Sequence, residues 1–176
     1  MQLKSLPKSY LAIGSYPYFQ YDASNGGGEA DSNQDQGGNL IHLRFSSSDF
    51  SVPSLNWRTA KISGIPIPPG IEIKINPTRL EGVLNKSTGE ISLVFESLFT
   101  LSILSIFHFS PLTIKTSLVT SEAKSQLFKV EGETLKEDGK ATLVGIAKVP
   151  LSGNRLLDKF LGLPTEALAI LKCKLS

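Results

Sequence analysis

The chain has one cysteine, one methionine, one tryptophan and two histidines among its 176 residues. Each scarcity removes a class of chemistry. The lone Cys173 excludes an internal disulfide and reads as a small buried hydrophobe. His42, His108 and one thiol cannot assemble a metal centre of the common His/Cys kinds, so no metal and no cofactor are expected. Both imidazoles lie among apolar neighbours in strand-like segments, which predicts partly buried, satisfied rings. No Gly-x-Ser-x-Gly elbow accompanies the many hydroxyls, so no nucleophile is singled out and no catalytic residue is named. Neither sign of charge dominates: 18 basic and 16 acidic residues leave +2, too small an excess for a phosphate-binding face, and nucleic acid is not an expected partner. The start "MQLKSLPKSYLAIGSY" is broken by Pro7 and Lys8 before an apolar run of leader length, so no signal peptide is expected.

A long hydrophobic run is also missing. "SLFTLSILSIFHFSPLTI", Ser97 to Ile114, carries no formal charge, but a spanning helix needs about 20 apolar residues. Eleven residues separate Glu96 from His108, about 16 Å as a helix. Pro111 follows, and Ser97, Thr100, Ser102, Ser105, Ser110 and Thr113 dilute the stretch. With period two, Phe99, Leu101, Ile103, Phe107 and Phe109 share one face, which predicts strand with a bend near Ser105. The helical period places Leu101 and Leu104 among the hydroxyls and leaves no clean stripe.

What the chain does have suits one domain over 1–176, rich in β structure. Its 40% hydrophobic content, with nine Phe and four Tyr, favours a sheet interior, and the length allows about 70% of the unfolded surface to be buried. "IEIKI" (Ile71 to Ile75) alternates strictly. "LEGVLNKSTGEISLVFES" reads as a hairpin turning across Asn85–Gly89. "LTIKTSLVT" and "SQLFKVEGETLKEDGKATLVGIAKVP" add three strands, the last two joined at Asp138-Gly139. Tyr10–Tyr21 and Leu40–Phe45 are further candidates. Ser152 or Asn154 caps a short helix through Leu161, stopped by Gly162 and Pro164, and a final strand begins near Ala167. The segment 24–39, with its glycines, Asn and Asp, reads as a flexible loop; Glu29 and Asp31 argue against a phosphate cradle at Gly26–Gly28. Nine to eleven antiparallel strands and one short C-terminal helix make a β-barrel or a two-layer β-sandwich.

Two features bear on function. Apolar residues occupy both faces between Ile91 and Ile114, which means either a strand covered on both sides or a cavity lined by Phe95, Phe99, Phe107 and Phe109 that accepts an apolar ligand. "GIPIPPGI" is a stiff loop or sheet edge. Its Ile65, Pro66, Ile67, Pro68 and Pro69, with Trp57 upstream, either dock on a protein or membrane surface or fold over the barrel end as a plug. Glu131 and Glu133 share a strand face with Lys129, the pattern of a solvated surface. Glu96, the one acid in its apolar run, either faces water, meets Arg58, Arg79 or a lysine, or is a buried acid of a barrel-type isomerase or cyclase.

Taken together, "GSYPYFQYDASNGGG", "LNWRTAKISGIPIPPGIEIKI", "ATLVGIAKVPLSG" and "FLGLPTEALAIL" resemble a set of uncharacterised proteins of cyanobacteria and plastids, and the resemblance covers most of the chain. It implies a photosynthetic setting with a link to thylakoid-associated work and carries no functional residue across; the start of the chain adds the expectation of a cytoplasmic or stromal location, peripheral to a thylakoid membrane. The expected function is a non-enzymatic β protein holding a lipid or pigment in a Phe-lined cavity. The alternative is an assembly module docking through the proline-rich loop.

Overall fold

The computed structural model describes residues 1–35 and 37–176. In chain order the strands are β1 (Gln2–Ser5), β2 (Ser9–Ile13), β3 (Phe19–Tyr21), β4 (Gly27–Gln34), β5 (Leu40–Phe45), β6 (Ala60–Ile62) and β7 (Ile65–Pro66). Then come β8 (Ile71–Asn85), β9 (Ile91–Ile103), β10 (Phe107–His108), β11 (Leu112–Val119), β12 (Glu122–Lys124), β13 (Lys129–Glu131) and β14 (Lys140–Val149). Helix α1 (Arg155–Leu161) and β15 (Thr165–Leu175) end the chain.

Every pairing is antiparallel, and eight strands close on themselves in the order β1-β4-β5-β8-β9-β11-β14-β15, with β15 returning to β1. The architecture is an antiparallel barrel with one short helix, as the alternation of apolar residues predicts. Closure runs through β15. Its C-terminal half pairs with β1 (Cys173 opposite Ser5), and on the same edge its N-terminal half pairs with β2 (Ala167 opposite Ile13). From β2 the sheet continues through β3, β6 and β7, and the Leu55–Ile73 bridge, two hydrogen bonds of 2.9 Å, joins this second arc to β8.

The two levels differ in filling. Around β1, β4 and β5 the interior holds Leu3, Leu43, Phe45, Leu80, Leu93 and Leu143, all buried. Each contributes roughly 1.5–3 kcal/mol relative to exposure. A bulge at Pro77–Arg79 resets the pleat, so that odd residues of β8 face inward before it and even ones after it. Outside the barrel, the β12–β13 hairpin lays Phe128 and Val130 on Ala12, Leu168, Ile146 and Ile170. The outer face of β14 and β15 is therefore covered as well, which explains apolar residues on both sides of β14.

Helix α1 begins where Asn154 accepts from the Leu156 and Leu157 amides and ends at Gly162, whose φ of 68° is left-handed. Leu157 is buried, and Leu161 packs with Leu163 and Val149 at the top of the barrel.

Three readings of the sequence are corrected. The segment 24–39 is not a loop throughout: Gly27–Gln34 is β4, a wall strand between β1 and β5. Its glycines answer a close approach, since a Cβ on Gly27 would lie 2.1 Å from the Leu3 carbonyl oxygen and one on Gly28 2.3 Å from that of Asp49. The stretch Tyr10–Tyr21 is two strands folded at residues 14–18. His42 and His108 are exposed, His42 on the outer face of β5 between inward Ile41 and Leu43, His108 at the barrel end.

Cys173 faces the filled interior with no accessible surface, and burial pushes its thiol up to about 12. Native protein is expected to leave a thiol reagent unreacted at mildly alkaline pH and to react fully in denaturant. Rapid native labelling would mean that β15 parts from β1.

Candidate functional site

Above the filled level the inward positions change character. On β14 and β15 the facing pairs Gly145–Ala169 and Ala147–Ala167 put small residues where the lower level has Leu143 and Cys173. Opposite stands β9, whose odd positions face inward. Phe95 packs against the lower core and the upper cluster of Tyr21, Leu55 and Ile75, and Phe99 against that cluster and the one around Ile114 and Val149. Ile13, Ile73, Phe99 and Ala167 pack on these clusters yet keep part of their surface accessible. The upper level is thus lined by aromatic side chains of β9 and by small residues of β14 and β15.

Ser97 sits between Phe95 and Phe99 on the same face, opposite Pro77 and Ile114 in the neighbouring strands. Its side chain is 0% exposed, and among the described residues its Oγ is the buried side-chain polar atom with no hydrogen-bond partner. A hydroxyl in that condition costs about 1–3 kcal/mol. Other buried hydroxyls are engaged: Thr120 accepts from the Ile91 amide at 3.0 Å, and Ser9 from that of Lys172 at 3.2 Å.

Of the four candidate phenylalanines, the fold brings Phe95 and Phe99 together. Phe107 is 61% exposed, because it pairs with Ile103 past the last rung of the wall, where nothing stands opposite; Phe109 is half-buried just beyond it. The proline-rich segment divides in the same way. Ile65 is 71% exposed on the β6–β7 hairpin, whereas Ile67 is 6% exposed, packed with Tyr21, Leu55 and Ala60. Pro66, Pro68 and Pro69 are exposed, and Trp57 is exposed with the Arg58 guanidinium 4.9 Å from its ring centroid.

Glu96 faces outward and meets Lys115 at 2.7 Å and Arg79 at 3.4 Å, so this position puts no acid in the interior. It belongs to a belt across β5, β8, β9 and β11 in which Arg44 and Arg79 also hold Glu81. Glu131, Glu133 and Lys129 are exposed, as their shared face predicts. Among the described residues no three His, Cys, Asp or Glu side chains gather as a metal site, and no helix is long and apolar enough to cross a membrane. The groove beside Gly26–Gly28, about 720 Å³, presents Glu29, Asp31 and Asp49. The Gly27 amide is spent on the Ser51 carbonyl, so nothing there cradles an anion.

Compared with protein-family models, curated proteins and solved structures, the chain matches none.

Sequence reasoning missed Ser97 and the small wall. The signal for Ser97 was its parity: it occupies an odd position in line with Phe95 and Phe99. Gly145, Ala147, Ala167 and Ala169 read as ordinary strand residues until β14 and β15 are set side by side.

Hydrogen bonds from Arg79 hold the Glu81 carboxyl below its ordinary value, and those from Lys115 do the same for Glu96. Carboxyls lowered by folding add stability above the unfolded value of about 4.3 and lose it as pH falls through the folded values. Glu96→Gln is expected to lower the melting temperature at neutral pH and to cost less in acid. An equal loss at both would show that the belt contributes nothing electrostatic.

Proposed function

We propose that the protein holds one apolar molecule in the upper chamber of its barrel, with no chemistry performed on it. The observation that carries this reading is Ser97, a buried hydroxyl without a partner set between two phenylalanines. Eight-stranded barrels are either filled by side chains or hold one small ligand, and the small inward residues Ala147, Ala167 and Ala169 of the upper level support the second case here. A largely apolar body fits walls of this kind. A single hydroxyl or carbonyl on it would give Ser97 its hydrogen bond, and the same atom would fix the depth of the cargo.

Lipids and pigments with one such group form the proposed class. The resemblance to proteins of cyanobacteria and plastids adds a photosynthetic setting to the proposal, where both are abundant. Carriage or sequestration is the role that follows.

Ser97→Ala tests the reading because its two effects have opposite signs. Without ligand the variant is expected to be more stable by about 1 kcal/mol, since an unsatisfied hydroxyl is gone, raising the melting temperature by roughly 2–4 °C in a chain of this size. Binding of a polyene fatty acid or alcohol, followed by its fluorescence in delipidated protein, is expected to weaken about tenfold. Unchanged affinity, or a variant less stable than the parent, would remove Ser97 as the anchor. Absence of any binding by the parent chain would remove the carrier.

A further inference from the structure

Most of the large apolar side chains that the barrel leaves in solvent collect at one end, Trp57 and Leu127 aside. The pairings Ile13–Ala167, Phe19–Ile62, Ile71–Ile103 and Val149–Thr165 lie at this end of the barrel. The segments that turn around there carry Tyr16 and Tyr18, Ile65, then Leu104, Ile106 and Phe107. Between β14 and β15 the same end carries Leu151, Leu156 and Phe160. Turns at the opposite end, Lys86–Thr88 and Lys136–Asp138, are polar.

These residues stand on short, fixed supports. The turn from Ile103 to Ile106 puts Leu104 and Ser105 at φ of 54° and 56°, a left-handed conformation usually filled by Asn-Gly. Leucine is retained there against the preference of the turn. Gly70, at φ 92°, accepts the Leu104 amide at 2.7 Å and ties this hairpin to the proline-rich segment. In α1 the pair Leu157 and Leu161 faces the barrel, while Leu156 and Phe160, one position earlier in each turn, face out, Leu156 at 78% exposure. Tyr16 donates its hydroxyl to the Phe160 carbonyl, with the two rings 6.1 Å apart. The helix and the β2–β3 loop are thereby joined.

Basic side chains outnumber acidic ones at this end, and Lys148 stands opposite Glu166. The segments 14–18, 61–74, 100–113 and 148–166 contain Lys61, Lys74, Lys148, Arg155 and Lys159 against Glu72, Asp158 and Glu166. All five basic side chains are exposed. Two of the acids are turned to neighbours, Asp158 to the Ser152 amide at 2.7 Å and Glu166 to the Ser125 hydroxyl at 2.6 Å.

We infer that the mouth of the barrel seats on the surface of a lipid bilayer containing anionic lipids. Leu104, Ile106, Phe107, Leu156 and Phe160 enter the boundary between headgroups and acyl chains, and Arg155 and Lys159 meet the headgroups. A second copy of the chain is the poorer occupant. Two such rims would face each other with like charge, and the apolar side chains stand on separate tips around an opening, which suits a deformable surface better than a rigid one. The inference does not depend on the chamber holding cargo.

Co-sedimentation of the full chain with phosphatidylcholine vesicles, with and without phosphatidylglycerol, tests it. The parent chain is expected to pellet with the anionic vesicles and about tenfold less with the neutral ones. Ile106→Ser with Phe107→Ser, and separately Arg155→Glu with Lys159→Glu, are each expected to weaken binding about tenfold or more. Their melting temperatures should stay close to the parent's, because these side chains are exposed. A parent chain that stays in the supernatant, variants that bind as the parent does, or a dimer that Ile106→Ser dissolves would each overturn the inference.

Discussion

The fold depends on one shared edge. Two strands, β1 and β2, must lie end to end along β15, and the chain between them has to step aside without leaving the ladder open. Ser9 makes that step. Its hydroxyl accepts from the Lys172 amide at 3.2 Å and donates to the Leu6 carbonyl at 3.2 Å, while the Leu6 amide reaches the Lys172 carbonyl at 2.7 Å. Lys8, at φ 63°, turns the chain between the two strands. One buried hydroxyl, 1% exposed, thus completes the hydrogen bonding of β15 at the point where its partner changes.

That junction divides the barrel into two levels with different interiors. Below it the sheet closes tightly through β1, β4 and β5, and leucines with Phe45 and Phe50 fill the space. Above it the second arc is longer and more irregular, interrupted at residues 14–18 and at the Pro66–Pro69 segment and held to β8 by a single bridge. On the β14–β15 wall the inward residues shrink to alanines, and Gly145 lets β11 come close, since a Cβ there would lie 2.8 Å from the Ser117 carbonyl oxygen. The seam between β11 and β14 is economical too: one paired position, Val119 with Val144, and the Thr116 hydroxyl on the Ile146 carbonyl at 2.9 Å. The largest buried cluster thus sits in the lower level, and the upper one is held by two smaller clusters around Tyr21 and Ile114.

How much of this the sequence disclosed follows from which signals are local. The β8–β9 hairpin, the strand reading of the apolar run, α1 with its Asn154 and Gly162 caps, and the last strand were legible because alternation, turn residues and caps are written within a few positions. Strand β4 was not: its glycines serve the carbonyls of Leu3 and Asp49, which are distant in sequence, and without that knowledge they look like a loop. The sequence raised burial on both faces only for Ile91 to Ile114; that β14 and β15 are covered on their outer face, by the β12–β13 hairpin, no local pattern disclosed. Ser97 was hidden among plentiful hydroxyls until the closed barrel gave its parity a meaning. Ile65 and Ile67 share a parity, and only the tertiary context sends one out and the other in.

The proposed cargo site and the apolar rim lie at the same end, and that coincidence constrains both readings. An apolar molecule leaving the chamber through a mouth bathed in water would lose the hydrophobic stabilisation of burial before it reached any acceptor, at about 25 cal/mol for each Å² uncovered. A mouth whose own hairpins are leucine, isoleucine and phenylalanine shortens that aqueous step, because the side chains that lead into the interior continue outward from Phe99 through Ile103 to Phe107 on paired strands. If the interior were merely under-packed, nothing would require the exposed apolar residues to surround its opening, and they would be as well placed at the opposite turns. Under the two proposals together, the rim and the cargo site form one path, with Ser97 at its inner end and the membrane-facing residues at its outer one.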